Sequence, residues 1–213
     1  MTGTSKDKTP SLIVAAGNNL NVSGAQIINS GAGATQLQAG QDLVLSAITT
    51  AQDDNAVWNA KNHSRLANSQ DVGSEITTQG TISLQAGRDI AARAANVTSQ
   101  GAITVDAARD IKLEAGRSTA INDQARRYTT SGTVSSTTTT TRDLFDQTTS
   151  IGSSLSGQSV KAHAGRDVNV VGSTVVRLSI TTSLRNAKLC KINSCKQVTM
   201  LINKKSSKIN SPI

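Results

Sequence analysis

Apolar residues recur at every second position on either side of a short step that reads Ala-Gly-x-(Asn/Asp)-aliphatic. The step stands at Ala16–Leu20, Ala39–Leu43, Ala86–Ile90, Ala107–Ile111 and Ala164–Val168, with Ala108 in place of the glycine in the fourth copy. Counted from the first Ala, the positions four and two before it, the Ala itself, and four and six after it form one set per copy. These sets are Leu12, Val14, Ala16, Leu20, Val22; Thr35, Leu37, Ala39, Leu43, Leu45; Ile82, Leu84, Ala86, Ile90, Ala92; Ile103, Val105, Ala107, Ile111, Leu113; and Val160, Ala162, Ala164, Val168, Val170. Only Thr35 is polar. Spacing by twos predicts two short strands, each burying alternate residues, joined by a tight bend, and the interval is too short for helices. Glycine at the bend is expected to supply a left-handed backbone, and Asn or Asp two residues later is the next most tolerant type. Ile27, Val97 and Val175, each eleven residues past its Ala, mark a further strand.

The copies are spaced by 23, 47, 21 and 57 residues, so the basic unit is one coil of 21 to 23. A self-similar period of this length is the signature of a solenoid. The fold class expected is therefore all-β, a right-handed parallel β-helix. Residues 11–176 form its body, after a polar leader over 1–10 read as disordered and before a non-repeat tail over 177–213. The two long gaps imply insertions at about 47–79 and 118–157. Trp58, Tyr128 and Phe145, the only aromatic residues, all fall in them, as expected of excursions outside the stacked core. Within the second, the Ser/Thr-rich stretch 129–141 has strand propensity, and a protruding hairpin and a mobile loop both stay open. Five to seven coils at about 4.8 Å each make a rod of only about 25 to 35 Å, which reads as a fragment of something longer.

Composition supports this picture. Aromatic residues are 1 % of the chain, so the core must be built from stacked small aliphatic side chains. The net charge of +8 suggests a nucleic-acid partner until it is located. Arg177, Arg185, Lys188, Lys191, Lys196, Lys204, Lys205 and Lys208 hold the whole excess, and residues 1–176 balance at 14 basic and 14 acidic. Cys190 and Cys195 also lie in the tail and decide no redox compartment. The start lacks a basic segment followed by an apolar run, so any export signal is expected to lie outside this sequence.

The run Leu113-Glu-Ala-Gly-Arg117, the Thr-rich insertion with Thr137 to Thr141, Ser156-Gly-Gln-Ser-Val160 and Ala164-Gly-Arg-Asp-Val-Asn-Val-Val-Gly-Ser173 together carry a family likeness. Over about residues 11–176 the chain resembles the haemagglutinin-repeat region of filamentous haemagglutinins and contact-dependent growth-inhibition exoproteins. The resemblance implies a two-partner secretion exoprotein, exported through a dedicated outer-membrane transporter and displayed on the bacterial surface or secreted. In it the repeats are the stalk of an adhesin or toxin-delivery rod that meets a host or target-cell surface. It implies no catalytic, cofactor-binding or metal-binding residue, no cofactor, no nucleic-acid partner and no small-molecule substrate.

The same sequence bears on two other function classes. A polysaccharide-acting enzyme on the same fold needs carboxylates and arginines gathered in one groove, and only His63 and His163 could serve as imidazole bases. His63 lies in a polar insertion and His163 at an outward-facing position, so both read as surface residues. A basic nucleic-acid-binding protein would have to act through the tail, where two Cys without companion ligands make no zinc site. The Asp column at Asp42, Asp89, Asp110 and Asp167 recurs once per coil, not at the nine-residue spacing of calcium-binding rolls, and reads as a corner residue beside a neutralising Arg88, Arg109 or Arg166.

From Arg177 onward Ala-Gly-x-Asp never returns, glycine disappears, and eight basic residues arrive without an acid. The reading is a frame shift or similar truncating event in the gene. Translating the coding DNA in the other two frames beyond codon 176 is expected to yield further Ala-Gly-Arg-Asp coils, and their absence from both frames refutes it.

Overall fold

In the computed structural model the chain is described over residues 11–176 and, beyond them, along the backbones of 178–182 and 198–202. The described residues are strands and connections, without a helix. The first coil consists of β1 (Leu12–Ala16), β2 (Leu20–Ser23) and β3 (Gln26–Asn29). In the second, β4 (Thr35–Ala39) and β5 (Leu43–Ser46) lead out into β6 (Ile48–Asn59) and back through β7 (Asn62–Val72) before β8 (Glu75–Thr78) closes the turn. The third is uninterrupted: β9 (Ile82–Ala86), β10 (Ile90–Arg93), β11 (Asn96–Ser99). The fourth runs β12 (Ala102–Ala107), β13 (Asp110–Glu114), out along β14 (Gly116–Ser131), back along β15 (Ser136–Ile151), then β16 (Ser154–Ser156). The fifth is β17 (Ser159–Ala164), β18 (Asp167–Val170) and β19 (Thr174–Val175), and β20 (Leu178–Thr182) and β21 (Val198–Ile202) extend one face.

Three parallel sheets result, ordered β1-β4-β9-β12-β17-β20-β21, β18-β13-β10-β5-β2 and β19-β16-β11-β8-β3. Together they make a parallel β-helix whose three faces enclose one narrow core. Each coil lies in register on the coil beneath, so equivalent residues form columns. Leu20, Leu43, Ile90, Ile111 and Val168 pair successively along one such column. Ile27, Ile76, Val97, Leu155 and Val175 make another on the third face. Leu43, Ile90 and Ile111 are at most 1 % exposed, and each fully buried aliphatic side chain stabilises by about 1.5–3 kcal/mol. Leu12, Val14 and Leu20 of the first coil are only half-buried, having no described coil below. Thr35, the polar member of the core sets, is fully buried and donates to Thr78 Oγ1 at 3.3 Å while accepting from Asn29 Nδ2 at 3.1 Å, so its hydroxyl is satisfied.

The first bend differs from expectation. Its glycines have no left-handed backbone. The corner stays in the ladder instead: Gly40 N–H donates to Ala16 C=O at 2.9 Å and Gly87 N–H to Ala39 C=O at 3.0 Å. Successive corners therefore sit backbone against backbone. A Cβ on Gly40 would lie 1.9 Å from Gly17 O, and one on Gly87 2.2 Å from Gly40 O. Glycine is required there by contact between coils, not by conformational freedom. The left-handed residues stand at the second bend, Gly24, Ala94 and Gly172, each eight past the repeat Ala. In the second and fourth coils that bend is replaced by a hairpin, beginning at Ile48 and at Gly116.

The excursions thus occupy 48–72 and 116–151, not 47–79 and 118–157, because Glu75–Thr78 and Ser154–Ser156 return to close the third face. The Thr-rich stretch is part of a hairpin, with Thr137–Thr141 paired to Thr130–Arg126. The two hairpins join as one antiparallel sheet ordered β15-β14-β7-β6. The basic tail over 177–213 lies outside the described residues except for the backbones of β20 and β21, which pair in parallel with β17 and with each other.

Adjacent residues on β13 test the alternation. Ile111 is 1 % exposed, whereas Lys112 faces out and pairs with Glu114 at 2.7 Å. Ile111→Asp buries an unpaired charge and is expected to cost roughly 4 kcal/mol or more, and Lys112→Asp about 1 kcal/mol or less. Denaturant unfolding of the two variants, followed by far-ultraviolet circular dichroism, reads the difference.

Candidate functional site at the charged corner and hairpin root

Immediately after the first bend the third, fourth and fifth coils present Arg-Asp, where the first has Asn18-Asn19 and the second Gln41-Asp42, and stacking decides which acid each arginine meets. Arg88 reaches down to Asp42, Arg109 to Asp89 and Arg166 to Asp110, each through both Nε and Nη2, with Nε at 2.8, 2.8 and 2.9 Å. The same carboxylates accept the backbone N–H of the next Asp up, at 3.3, 3.2 and 3.2 Å. Asn19 starts the series by accepting from Asp42 N–H at 3.2 Å. In the sequence each arginine stands beside its own Asp. The structure shows the bidentate partner to be the Asp one coil below, which the linear sequence does not display. The Arg88 hydrogen bond holds the Asp42 carboxyl below its ordinary value, and Arg166 does the same for Asp110. Roughly half of each arginine is exposed, so each pair by itself is weak. Its effect is to fix register, since slipping a coil breaks the whole series.

A second charged cluster sits where the hairpins leave the rod. Asp71, near the end of β7, is 5 % exposed. Its Oδ1 accepts from Thr49 Oγ1 of β6 at 2.7 Å; its Oδ2 accepts from Arg117 N–H of β14 at 2.9 Å and from Arg93 Nη2 of β10 at 2.6 Å. One carboxylate therefore ties both hairpins to the uninterrupted third coil. Gly116 permits the approach, because a Cβ there would lie 2.8 Å from Ala94 Cβ and 3.0 Å from Asp71. The Thr49 hydrogen bond, then Arg117 N–H and the Arg93 charge, lower the Asp71 pKa against the opposing effect of burial. No repeat position pointed to Asp71, since it belongs to an insertion without a counterpart in the other coils.

An open groove of about 520 Å³ runs beside this root, lined in part by Asp71, Arg93, Glu114 and Arg117. It is the gathering of carboxylates and arginines that an enzyme reading requires. Its acids are committed, however. Both oxygens of Asp71 accept hydrogen bonds, its pKa is lowered where a general acid needs a raised one, and Glu114 pairs with Lys112 at 2.7 Å. Neither histidine lines the groove. His63 Nε2 lies 3.5 Å from Asp123 within the hairpin sheet, and His163 Nδ1 lies 3.1 Å from Asp106 on the outer surface of the first face. Among the described residues no three His, Cys, Asp or Glu side chains gather to hold a metal ion, and Cys190 and Cys195 lie outside them.

The family model described as hemagglutinin repeat matches residues 59–176, from the tip of the first hairpin to the end of the fifth coil. No curated protein and no solved structure matches the chain.

Because Asp42, Asp71 and Asp110 are held below the ordinary carboxyl value of 3.8, their contribution is whole above that pH and is lost as pH falls through the lowered values. Thermal unfolding is expected to stay level from neutrality to about pH 4 as far as these groups are concerned, then to decline. In Asp71→Ala, which removes the shared acceptor of Thr49, Arg93 and Arg117, the decline should be shallower. Hydrogen exchange should place the loosening in the hairpin roots, with the coil columns retained.

Proposed function

Since the matched residues 59–176 make up more than half of the sequence, the chain belongs to the hemagglutinin-repeat family, and from that we propose that it is a stalk segment of a large bacterial exoprotein whose job is to hold other parts of the molecule at a distance. The family is one of structural adhesin repeats, not of enzymes, and the chain is a filamentous-haemagglutinin-like exoprotein fragment. The observation that carries the stalk reading is the continuity of the columns. Apolar positions, corner glycines and Arg–Asp pairs all bond one coil to the next, leaving the body of the rod engaged with itself.

On this reading the full-length protein passes through an outer-membrane two-partner transporter and acts at a host or target-cell surface, as an adhesin or as a carrier of a contact-dependent toxin. Export through a narrow transporter suits a chain whose coils can form one after another, each on the edge of the last, without distant contacts. An enzyme acting on polysaccharide would instead need a carboxylate free to protonate or attack, and a nucleic-acid binder would need basic residues in the balanced body over 1–176.

Competition tests the stalk role. Purified chain in molar excess is expected to leave attachment of the full-length exoprotein to its target cells unchanged, because spacing is a property of the intact rod. Inhibition that saturates with added chain would make this segment a receptor-binding surface and overturn the proposal.

A further inference from the structure

The hairpins leave the rod from alternate coils, the second and the fourth, at the same bend. Two coils rise about 9.6 Å, and a two-stranded hairpin is about 9.6 Å wide, both being twice the spacing of about 4.8 Å between neighbouring strands. The returning strand of one hairpin therefore arrives beside the outgoing strand of the next, and β7 pairs with β14 antiparallel from Gln70↔Ser118 to His63↔Ala125. Among the described residues this sheet has no apolar core of its own: Leu66, Tyr128, Leu144 and Phe145 stand 44–62 % exposed. Main-chain pairing between hairpins thus suffices to extend it.

Its outer edge, β15, is sixteen residues long; it carries Arg142, Asp143 and Asp146 but no proline or lysine, and its pairing with β14 has no bulge. Among the described residues β14 is the one strand that pairs with β15, and no strand lies against its other side.

We propose that β15 is a dimerisation edge, pairing antiparallel with β15 of a second copy of this chain so that two hairpin sheets join into one. The hydrogen-bond phase and the charges select the register. Gly132 N–H donates to Ser135 C=O at 2.7 Å, and the pairing with β14 continues without a shift, so odd-numbered residues of β15 bond to β14. Even-numbered ones turn their N–H and C=O to the free edge. A two-fold partner must then match even with even. Centring on Leu144 sets Leu144 against Leu144, Thr140 against Thr148 and Arg142 against Asp146, all on one face of the sheet. Arg142 is already steadied by Asp123 at 3.2 and 3.1 Å, and its fork keeps further N–H groups for the partner's acid. The other free edge, β6, carries Asp53 and Asp54 without a basic residue, so self-pairing there sets acid against acid.

Sedimentation equilibrium of the full chain over about 1–100 μM spans the range of weak, transient association and is expected to show a monomer–dimer equilibrium. Asp146→Lys turns two attractive contacts into repulsive ones and should weaken the dimer about tenfold or more. Leu144→Pro removes an edge N–H without touching the bonds to β14 and should abolish association. Circular dichroism confirms that both variants keep their strands. In a chain with Cys190→Ser and Cys195→Ser, Leu144→Cys should give a covalent dimer on mild oxidation, while Gln147→Cys, out of reach of itself in this register, should not. A monomer throughout the range overturns the proposal. So does a dimer indifferent to Asp146→Lys and Leu144→Pro, which would mean association through the open coil ends.

Discussion

Parallel pairing in register, coil upon coil, is the constraint from which the rest of this structure follows. Because each residue rests on its equivalent one turn below, whatever is placed at a position is placed in a column. An aliphatic residue becomes a buried stack such as Leu43–Ile90–Ile111. A side chain becomes an obstruction where backbones touch, as at Gly40 over Gly17. A neighbouring Arg and Asp become a diagonal series, each arginine serving the coil beneath it. The narrowness of the interior explains the near absence of aromatic residues: three short faces leave room for aliphatic side chains touching in layers, and a ring would force them apart.

This constraint also decides what could be read from the sequence. Periodicity of two around a recurring Ala-Gly step gave the strands, the core columns and the parallel stacking, because these are properties of one coil repeated. Less legible was anything depending on which coil lies above which. The corner glycines stand out in the sequence, but the reason for them does not, since a clash between Gly87 and Gly40 is invisible until the coils are superposed. Ile76 and Leu155 do not show in the sequence as members of the third face because the hairpins separate them from their repeat Ala; with 48–72 and 116–151 removed each stands twelve residues past it, one beyond the eleven of Val97, with which both pair. Asp71 could not be found by repeat analysis at all. A lone buried acid in an insertion becomes meaningful only when Thr49, Arg93 and Arg117 converge on it.

The two charged clusters do different mechanical work. Those along the corner are half-exposed and numerous, so each is weak and the series acts by being long. Asp71 is single and buried, and its loss would leave several donors without a partner. A rod with hairpins at its side needs both.

Alternation of hairpin-bearing and bare coils has a consequence for how such a gene can lengthen. Duplicating a single hairpin-bearing coil would crowd four strands into the height of two, and duplicating a bare coil would open a gap in the side sheet. Only a block holding one coil of each kind repeats without disturbing either the rod or its fin. Unequal crossing-over in the coding sequence should therefore be tolerated in steps of two coils, and the inherited unit of growth is twice the structural one.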